Sequence, residues 1–395
     1  MTSLPLPHAT PEDVGLSTAR LARLGAAMRG EVDRGRVPGA VALIARRGRL
    51  AYFESYGRRD PASGAPMAMD SIFRIYSMTK PIVSVAVMML WEEGRFLLND
   101  PIGKYVPELK DLKVAIVRGT EIELVDAERP ITIQDLLRHT SGLTYEFRGS
   151  GPVHKMYMAA KIYGRNQSNA DQVATLGKLP LISQPGATWE YSRSTDVLGR
   201  LVEVLSGLTL GEYLQRHILA PLGMIDTAFY VPAHEQARLA EAFAKDPDTG
   251  SGVQLINVRD APKFESGGGG LVSTASDYAR FLQMLLNHGR LDSVRILSRK
   301  TIELMTADHL GPITGAPDLL LPGYGFGLGF AVRLLPGISH VPGSVGQYFW
   351  GGLAGTTFWV DPAEDLFAIL LIQAPGQRDY FRNLFRDLVY AAFDD

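Results

Sequence analysis

The stretch RIYSMTK, Arg74 to Lys80, sets a serine three residues before a lysine, and Pro81 follows at once. The run behind it, PIVSVAVMMLW (Pro81–Trp91), is apolar throughout and too short to span a bilayer, so it reads as a buried helix. Ser77 stands where that helix begins, near unpaired N–H groups and the positive end of the helix dipole. Lys80 projects from the same face one turn on. Proline is tolerated in a first turn, so Pro81 fixes the helix start close to Ser77. Two readings stand level on this local evidence. Ser77 is a helix cap followed by a surface lysine, or it is a nucleophile whose base shares its turn. In the second reading burial lowers the lysine pKa, leaving a neutral amine able to take the serine proton.

Outward from this point the chain divides by pattern. Leu21, Leu24, Met28 and Val32 recur at helical spacing in Leu16–Asp33. Ala40–Gly57 reads as two apolar strands around an Arg-Arg-Gly turn. From Gly94 to about Glu265, helical patches alternate with loops, and Ser276–Asn287 is an amphipathic helix. Gly355–Val360 and Leu366–Gln373 form a second hairpin, and a closing helix carries Phe381, Leu384, Phe385, Leu388 and Ala392 on one face. This order predicts one α/β domain made from both termini, residues 1–75 and 265–395, with a mainly helical domain over 76–264.

Composition and absent motifs narrow the chemistry. With 395 residues, 46% hydrophobic and 21% charged, the chain has the make-up of a globular protein able to bury a large core. Its formal charge of −2 gives no reason to expect nucleic acid as a partner, and no segment reads as inserting in a membrane. The start lacks a secretory pattern, which places the protein in the cytoplasm as an expectation. There are no cysteines, so no thiolate site and no thiol nucleophile. The sequence holds no G-x-S-x-G elbow, no H-E-x-x-H and no P-loop, and the histidines lack ligand spacing. The reading therefore expects no metal and no organic cofactor. Oligomeric state is not legible.

Four segments, SMTKP, LNDPIGKYVPEL, LLRHTSGL and GGGGLVSTASDYARFLQMLL, occur in that order. Together they resemble the serine β-lactamase and penicillin-binding-protein superfamily over nearly the whole chain. The resemblance implies an antiparallel sheet flanked by terminal helices, a mainly helical domain, and an active site in the cleft between them. It implies Ser77 as nucleophile and Lys80 as base. The family's Y-x-N element falls on WEYSRSTDVLG, giving Tyr191 as a third catalytic residue whose phenolate the Lys80 charge would favour. Here Arg193 stands where the family has asparagine, which puts recognition of a substrate amide in doubt. The family's K-T-G is absent, and Trp350-Gly351-Gly352 takes its place.

That W-G-G resembles family VIII carboxylesterases. An apolar Trp350 wall in place of a lysine favours an uncharged or short-chain ester as the small-molecule partner. The backbone N–H groups of Ser77 and Leu353 would form the oxyanion hole. Tyr76, Tyr145, Phe147 and Phe349 are pocket candidates from their nearness to these motifs. His139 and Gly267–Gly270 read as structural. The reading thus expects a carboxylesterase acting through an acyl-enzyme on Ser77. A β-lactamase, a D-amino-acid peptidase or an acyltransferase of the same fold is the alternative.

Overall fold

The computed structural model describes residues 5–119, 121–315 and 319–395. The first hairpin forms strands β1 (Gly39–Arg46) and β2 (Arg49–Asp60), and β3 (Ala65–Pro66) follows. The second half supplies β4 (Tyr324–Phe326), β5 (Ala331–Arg333), β6 (Tyr348–Gly351), β7 (Thr357–Asp361) and β8 (Leu366–Ile372). These eight strands make one sheet in the order β4-β5-β6-β7-β8-β1-β2-β3. All pairings are antiparallel, with Ala40 opposite Ile372 and Ala40 also opposite Tyr56. The two hairpins read from the sequence are therefore the centre of one sheet, joined through β1 and β8.

Every residue of β1 and of β8 is buried. That requires cover on both sheet faces, which is why both strands read as continuous apolar runs and not as alternations. Helices α1 (Thr18–Asp33), α5 (Ala275–Leu286) and α6 (Arg378–Tyr390) supply the cover, with α1 packed on α6 and α5 on β1 and β8. The chain ends are tied together. Ser17 N–H donates to the Ala392 carbonyl at 2.8 Å, and buried Arg46 pairs with Asp395 at 2.8 Å.

Between the two sets of strands lie α2 (Thr79–Glu92), α3 (Ile133–Leu137) and α4 (Ser194–Ser206), with α2 and α3 both packed on α4. The expected helix behind Ser77 is α2, buried at Thr79–Met88 and Leu90. Among the described residues no helix is long and apolar enough to cross a membrane.

Three departures from the sequence reading matter. Strands β4, β5 and β6 went unread, as did a half-exposed hairpin, Lys113–Arg118 with Glu121–Asp126, inside the region read as helices and loops. The closing helix is also rotated from its expected face. Phe381, Phe385 and Val389 are buried, Leu384 and Leu388 only partly so, and the buried stripe includes Arg386.

Candidate active site

Ser77 does not cap α2. It lies in a single 3₁₀ turn, Tyr76–Met78, that runs into the helix, and its hydroxyl makes no capping bond. Tyr76 just before it has φ +43°, a left-handed conformation uncommon for a bulky residue. The strained turn is pinned from three sides. The Tyr76 hydroxyl accepts from the Ile256 N–H at 3.0 Å, Tyr278 in α5 donates to the Met78 carbonyl at 2.9 Å, and the Leu271 N–H donates to Thr79 Oγ1 at 3.1 Å. The cap-and-surface-lysine reading therefore fails at both residues, because Lys80 is 1% exposed.

Lys80 Nζ is 3.4 Å from Ser77 Oγ, 2.9 Å from the Tyr145 hydroxyl and 2.5 Å from the Gly268 carbonyl oxygen. Burial lowers this amine from its ordinary 10.5 to about 7; nearby Asp196 opposes the shift and Arg193 adds to it. A neutral amine has two N–H donors and one lone pair. Donation to Gly268 and Tyr145 leaves the lone pair for the proton on Ser77. The role of Gly268 was missed by the sequence reading, which took the glycine run as a mere tight loop. The run is tight because a Cβ at Gly267 would stand 2.5 Å from the Thr195 carbonyl and one at Gly268 would stand 2.8 Å from the Tyr145 hydroxyl. Asp196, at the start of α4, holds this loop by accepting from Ser266 Oγ at 2.6 Å and from the Gly268 N–H at 2.9 Å.

Tyr191 lies across the same cleft. Its ring faces Lys80 Nζ at 4.5 Å, and its hydroxyl interacts with Ser77 and accepts from Trp350 Nε1–H at 3.2 Å. The expected phenolate is not what this environment favours. Burial raises the phenol well above its ordinary value, and its hydrogen bonds with Ser77 and Trp350 only reduce that shift. Tyr191 is a neutral donor here. Tyr145 is likewise held protonated by burial and stacks on exposed Phe147 at 4.7 Å. His139 is buried, held well below its ordinary pKa by burial, and packed on Tyr191 at 4.9 Å, in keeping with a supporting role.

The W-G-G segment ends β6 and folds back onto the Ser77 turn. The Gly352 N–H donates to the Thr356 carbonyl at 2.7 Å, and Thr356 Oγ1 donates to the Ile75 carbonyl at 3.3 Å. A Cβ at Gly352 would lie 2.5 Å from that Ile75 oxygen, so only glycine lets the two segments meet. Leu353 comes next, and among the described residues neither its N–H nor that of Ser77 has an acceptor in the protein. Ser77, Tyr76, Tyr145, Tyr191, Phe349, Trp350, Gly351, Gly352 and Leu353 all line one cavity of about 820 Å³.

The cleft carries more charge than the apolar Trp350 wall predicts. Arg193, where the family has asparagine, lines the cavity but offers no free cation to it. It is buried between Glu146 at 2.6 Å and Asp196 at 3.3 Å, with its guanidinium 4.8 Å over the Tyr145 ring. Nor is the W-G-G wall free of cations, because Arg382 from α6 reaches it: a Cβ on Gly351 would be 2.7 Å from Arg382 Nη2. The signal lay in arginines at every fourth position of α6 (Arg378, Arg382, Arg386), which the reading passed over.

A serine, an amine of lowered pKa, a neutral phenol and two free N–H groups at one cavity are the parts that acyl transfer uses. Among the described residues no cluster of three or more metal-ligating side chains occurs. A sequence profile of the Beta-lactamase family matches residues 24–392. Protein Rv1367c of Mycobacterium tuberculosis is 39% identical over 362 residues, 88% of each chain. Esterase EstB of Burkholderia gladioli is 32% identical over 408 residues, covering 96% of this chain and 98% of its own. The solved structure of EstCE1, described as a hydrolase with promiscuous acyltransferase activity, superposes with a TM-score of 0.79 at 27% identity, covering 94% of this chain and 98% of its own. A Ser-x-x-Lys turn backed by a buried tyrosine, on this sheet and with these relatives, makes the chain a member of the serine β-lactamase-like superfamily, which includes esterases.

Proposed function

We propose that the protein hydrolyses carboxylic esters through an acyl-enzyme on Ser77, in the manner of the carboxylesterase branch that its W-G-G segment resembles. The observation that carries this reading is the buried Lys80 amine, 3.4 Å from Ser77 Oγ and lowered to about 7. Ser77 Oγ attacks the acyl carbon as its proton passes to the Lys80 lone pair, which needs the neutral amine that burial provides. The carbonyl oxygen gains the negative charge and is held by the N–H groups of Ser77 and Leu353. The C–O bond to the alcohol then breaks, and the alkoxide takes a proton relayed from Lys80 through the neutral Tyr191 hydroxyl. Trp350 donates to the Tyr191 oxygen, so the tyrosine's own hydrogen is free to point at Ser77 or the leaving oxygen. Water repeats the sequence on the acyl-enzyme, releasing the acid and restoring Ser77.

A second reading, transfer of the acyl group to an alcohol, draws on the description of EstCE1 and on a cavity of about 820 Å³, large enough for an acceptor beside the acyl group. The test is an acyl-length series of p-nitrophenyl esters run beside nitrocefin, with product analysis in added alcohol, on wild type and Ser77→Ala. Ester turnover that Ser77→Ala abolishes, together with fluorophosphonate labelling of Ser77, is the expected result. Wild-type turnover in Ser77→Ala would end the proposal. Preference for nitrocefin would make the protein a β-lactamase, and ester products with the added alcohol would make it a transferase.

A further inference from the structure

Where α6 packs on the sheet, the core holds two arginines that no acid answers. Arg386 of α6 is 1% exposed, and its guanidinium stands over the rings of Phe349 in β6 at 4.9 Å and Trp359 in β7 at 5.1 Å. Its Nη1 donates to the Tyr324 hydroxyl at 3.4 Å. Arg333, the buried last residue of β5, comes to the same oxygen at 3.5 Å and also donates to the Val341 carbonyl at 2.9 Å. Two cations thus meet at one neutral hydroxyl, whose own hydrogen goes to Gln347 Oε1 at 2.8 Å. Among the described residues neither arginine meets a carboxylate. Asp361, ending β7, spends one oxygen on the Tyr390 hydroxyl at 2.5 Å and the Ser344 N–H at 3.0 Å, and its other oxygen is buried without a donor. Asp387, next to Arg386 in the chain, is exposed.

The donors left over form a pattern. Arg386 Nε and Nη2 and Arg333 Nε are all sealed from solvent without an acceptor. Nε–H and Nη2–H of one guanidinium point the same way along one edge of its plane, the edge that grips an anion in two bonds. Aromatic faces offset part of the Arg386 charge but accept neither of these hydrogens in the plane of the group. A water molecule could accept both and would leave two like charges buried, whereas an anion answers the bonds and the charge together. We infer that the core between α6 and the β5–β6 end of the sheet binds a small inorganic anion of chloride size, held on the Nε–Nη2 edge of Arg386 with Arg333 as the second cation. Enclosure sets the class, because an ion here gives up its water shell, and a monovalent halide yields it at less cost than phosphate or a carboxylate. The site is separate from the substrate cavity, which Arg386 does not line, and it draws nothing from the proposed activity. Phe349 lies between the two, lining the cavity while its ring covers Arg386, so the anion braces the cavity from behind.

Thermal unfolding of the full chain tests this, with sodium chloride exchanged stepwise for sodium gluconate. Gluconate is too large for the site, and constant ionic strength holds general screening fixed. Wild type is expected to gain about 2–4 °C in Tm along a saturating chloride curve. Arg386→Met keeps the length of the side chain, removes the fork, and is expected to flatten that curve. No chloride response in wild type, or the same response in Arg386→Met, overturns the inference. Diffraction from wild-type crystals grown in sodium bromide decides without any variant, so a failure of Arg386→Met to fold does not protect the proposal. An anomalous peak within hydrogen-bond distance of Arg386 Nε and Nη2 is expected, and its absence there overturns the site.

Discussion

Lys80 Nζ and the Gly268 carbonyl oxygen are 2.5 Å apart at the buried base of the cleft, so a residue of the helix behind Ser77 is oriented by a loop nearly two hundred positions away. One N–H of the amine is thereby committed. The Tyr145 hydroxyl at 2.9 Å takes another, and the lone pair is left on the side of Ser77. This predicts a specific phenotype for Tyr145→Phe. The amine keeps its burial but loses one anchor, so kcat for a p-nitrophenyl ester should fall about tenfold to a hundredfold with KM little changed. A rise in KM at constant kcat would assign Tyr145 to substrate binding instead.

Burial sets the pH above which the Lys80 amine can accept a proton. With the amine lowered to about 7, Lys80 is neutral above that value and protonated below it. Activity should therefore fall as pH drops through about 7, giving an acid limb in kcat/KM. Asp196 raises the Lys80 pKa, so Asp196→Asn should move the limb to lower pH, while its lost bonds to Ser266 and Gly268 lower the plateau. An acid limb near 4 in wild type would point to a carboxylate as the base.

The same shift has a stability consequence, and its sign is fixed. The unfolded lysine binds its proton up to about 10.5 and the folded one only up to about 7, so between those values the unfolded state holds more protons. Stability therefore gains from rising pH across that window, and the full cost of the buried amine is felt below about 7. Lys80→Met should raise Tm while abolishing turnover, with the larger gain at pH 6 and a smaller one at pH 9. Thermal scans at the two pH values measure it, and an equal gain at both would show that the amine is not strained by burial.

What the sequence made legible follows the range of each interaction. Ser77 and Lys80 share one turn, so their pairing is local and readable, and the apolar run behind them announces its own burial. Tyr191 needed the wider likeness, because nothing in WEYSRSTDVLG alone distinguishes a relay phenol from a core tyrosine. Its protonation state was misjudged because the Lys80 charge was weighed and the desolvation of the phenol itself was not. Arg382 was illegible for a different reason. Its place beside the W-G-G segment exists only because α6 packs beside Gly351, a contact between segments some thirty residues apart that neither composition nor period encodes. Strands β4, β5 and β6 escaped notice since they are only three, three and four residues long, too brief to show alternation.

Arg193 gives a stability prediction free of catalysis. It is enclosed by Glu146 and Asp196, all three nearly buried, so removing the cation alone strands two carboxylates. Breaking a buried pair in this way typically costs about 3–5 kcal/mol. Arg193→Asn should lower the unfolding free energy by about that much in urea, and adding Glu146→Gln should recover part of it. No recovery in the double variant would show that the guanidinium's packing over the Tyr145 ring, 4.8 Å away, matters more than its charge.

Gly352 tests the oxyanion hole without touching a side chain of the catalytic set. A Cβ at this position would meet the Ile75 carbonyl at 2.5 Å and Thr356 Oγ1 at 2.3 Å, one of them rigid backbone. The strand end must then retreat from the nucleophile turn, carrying with it the Leu353 N–H that follows. Loss of a single oxyanion donor ordinarily costs about 10²–10³ in kcat. Gly352→Ala should show a loss of that order while Ser77 still labels, only more slowly, with a fluorophosphonate. Thr356→Val relaxes only the hydroxyl contact, so it serves as the comparison and should cost far less. Comparable losses in the two variants would mean that the loop's hydrogen bonding governs the site and that the Leu353 amide is not the donor.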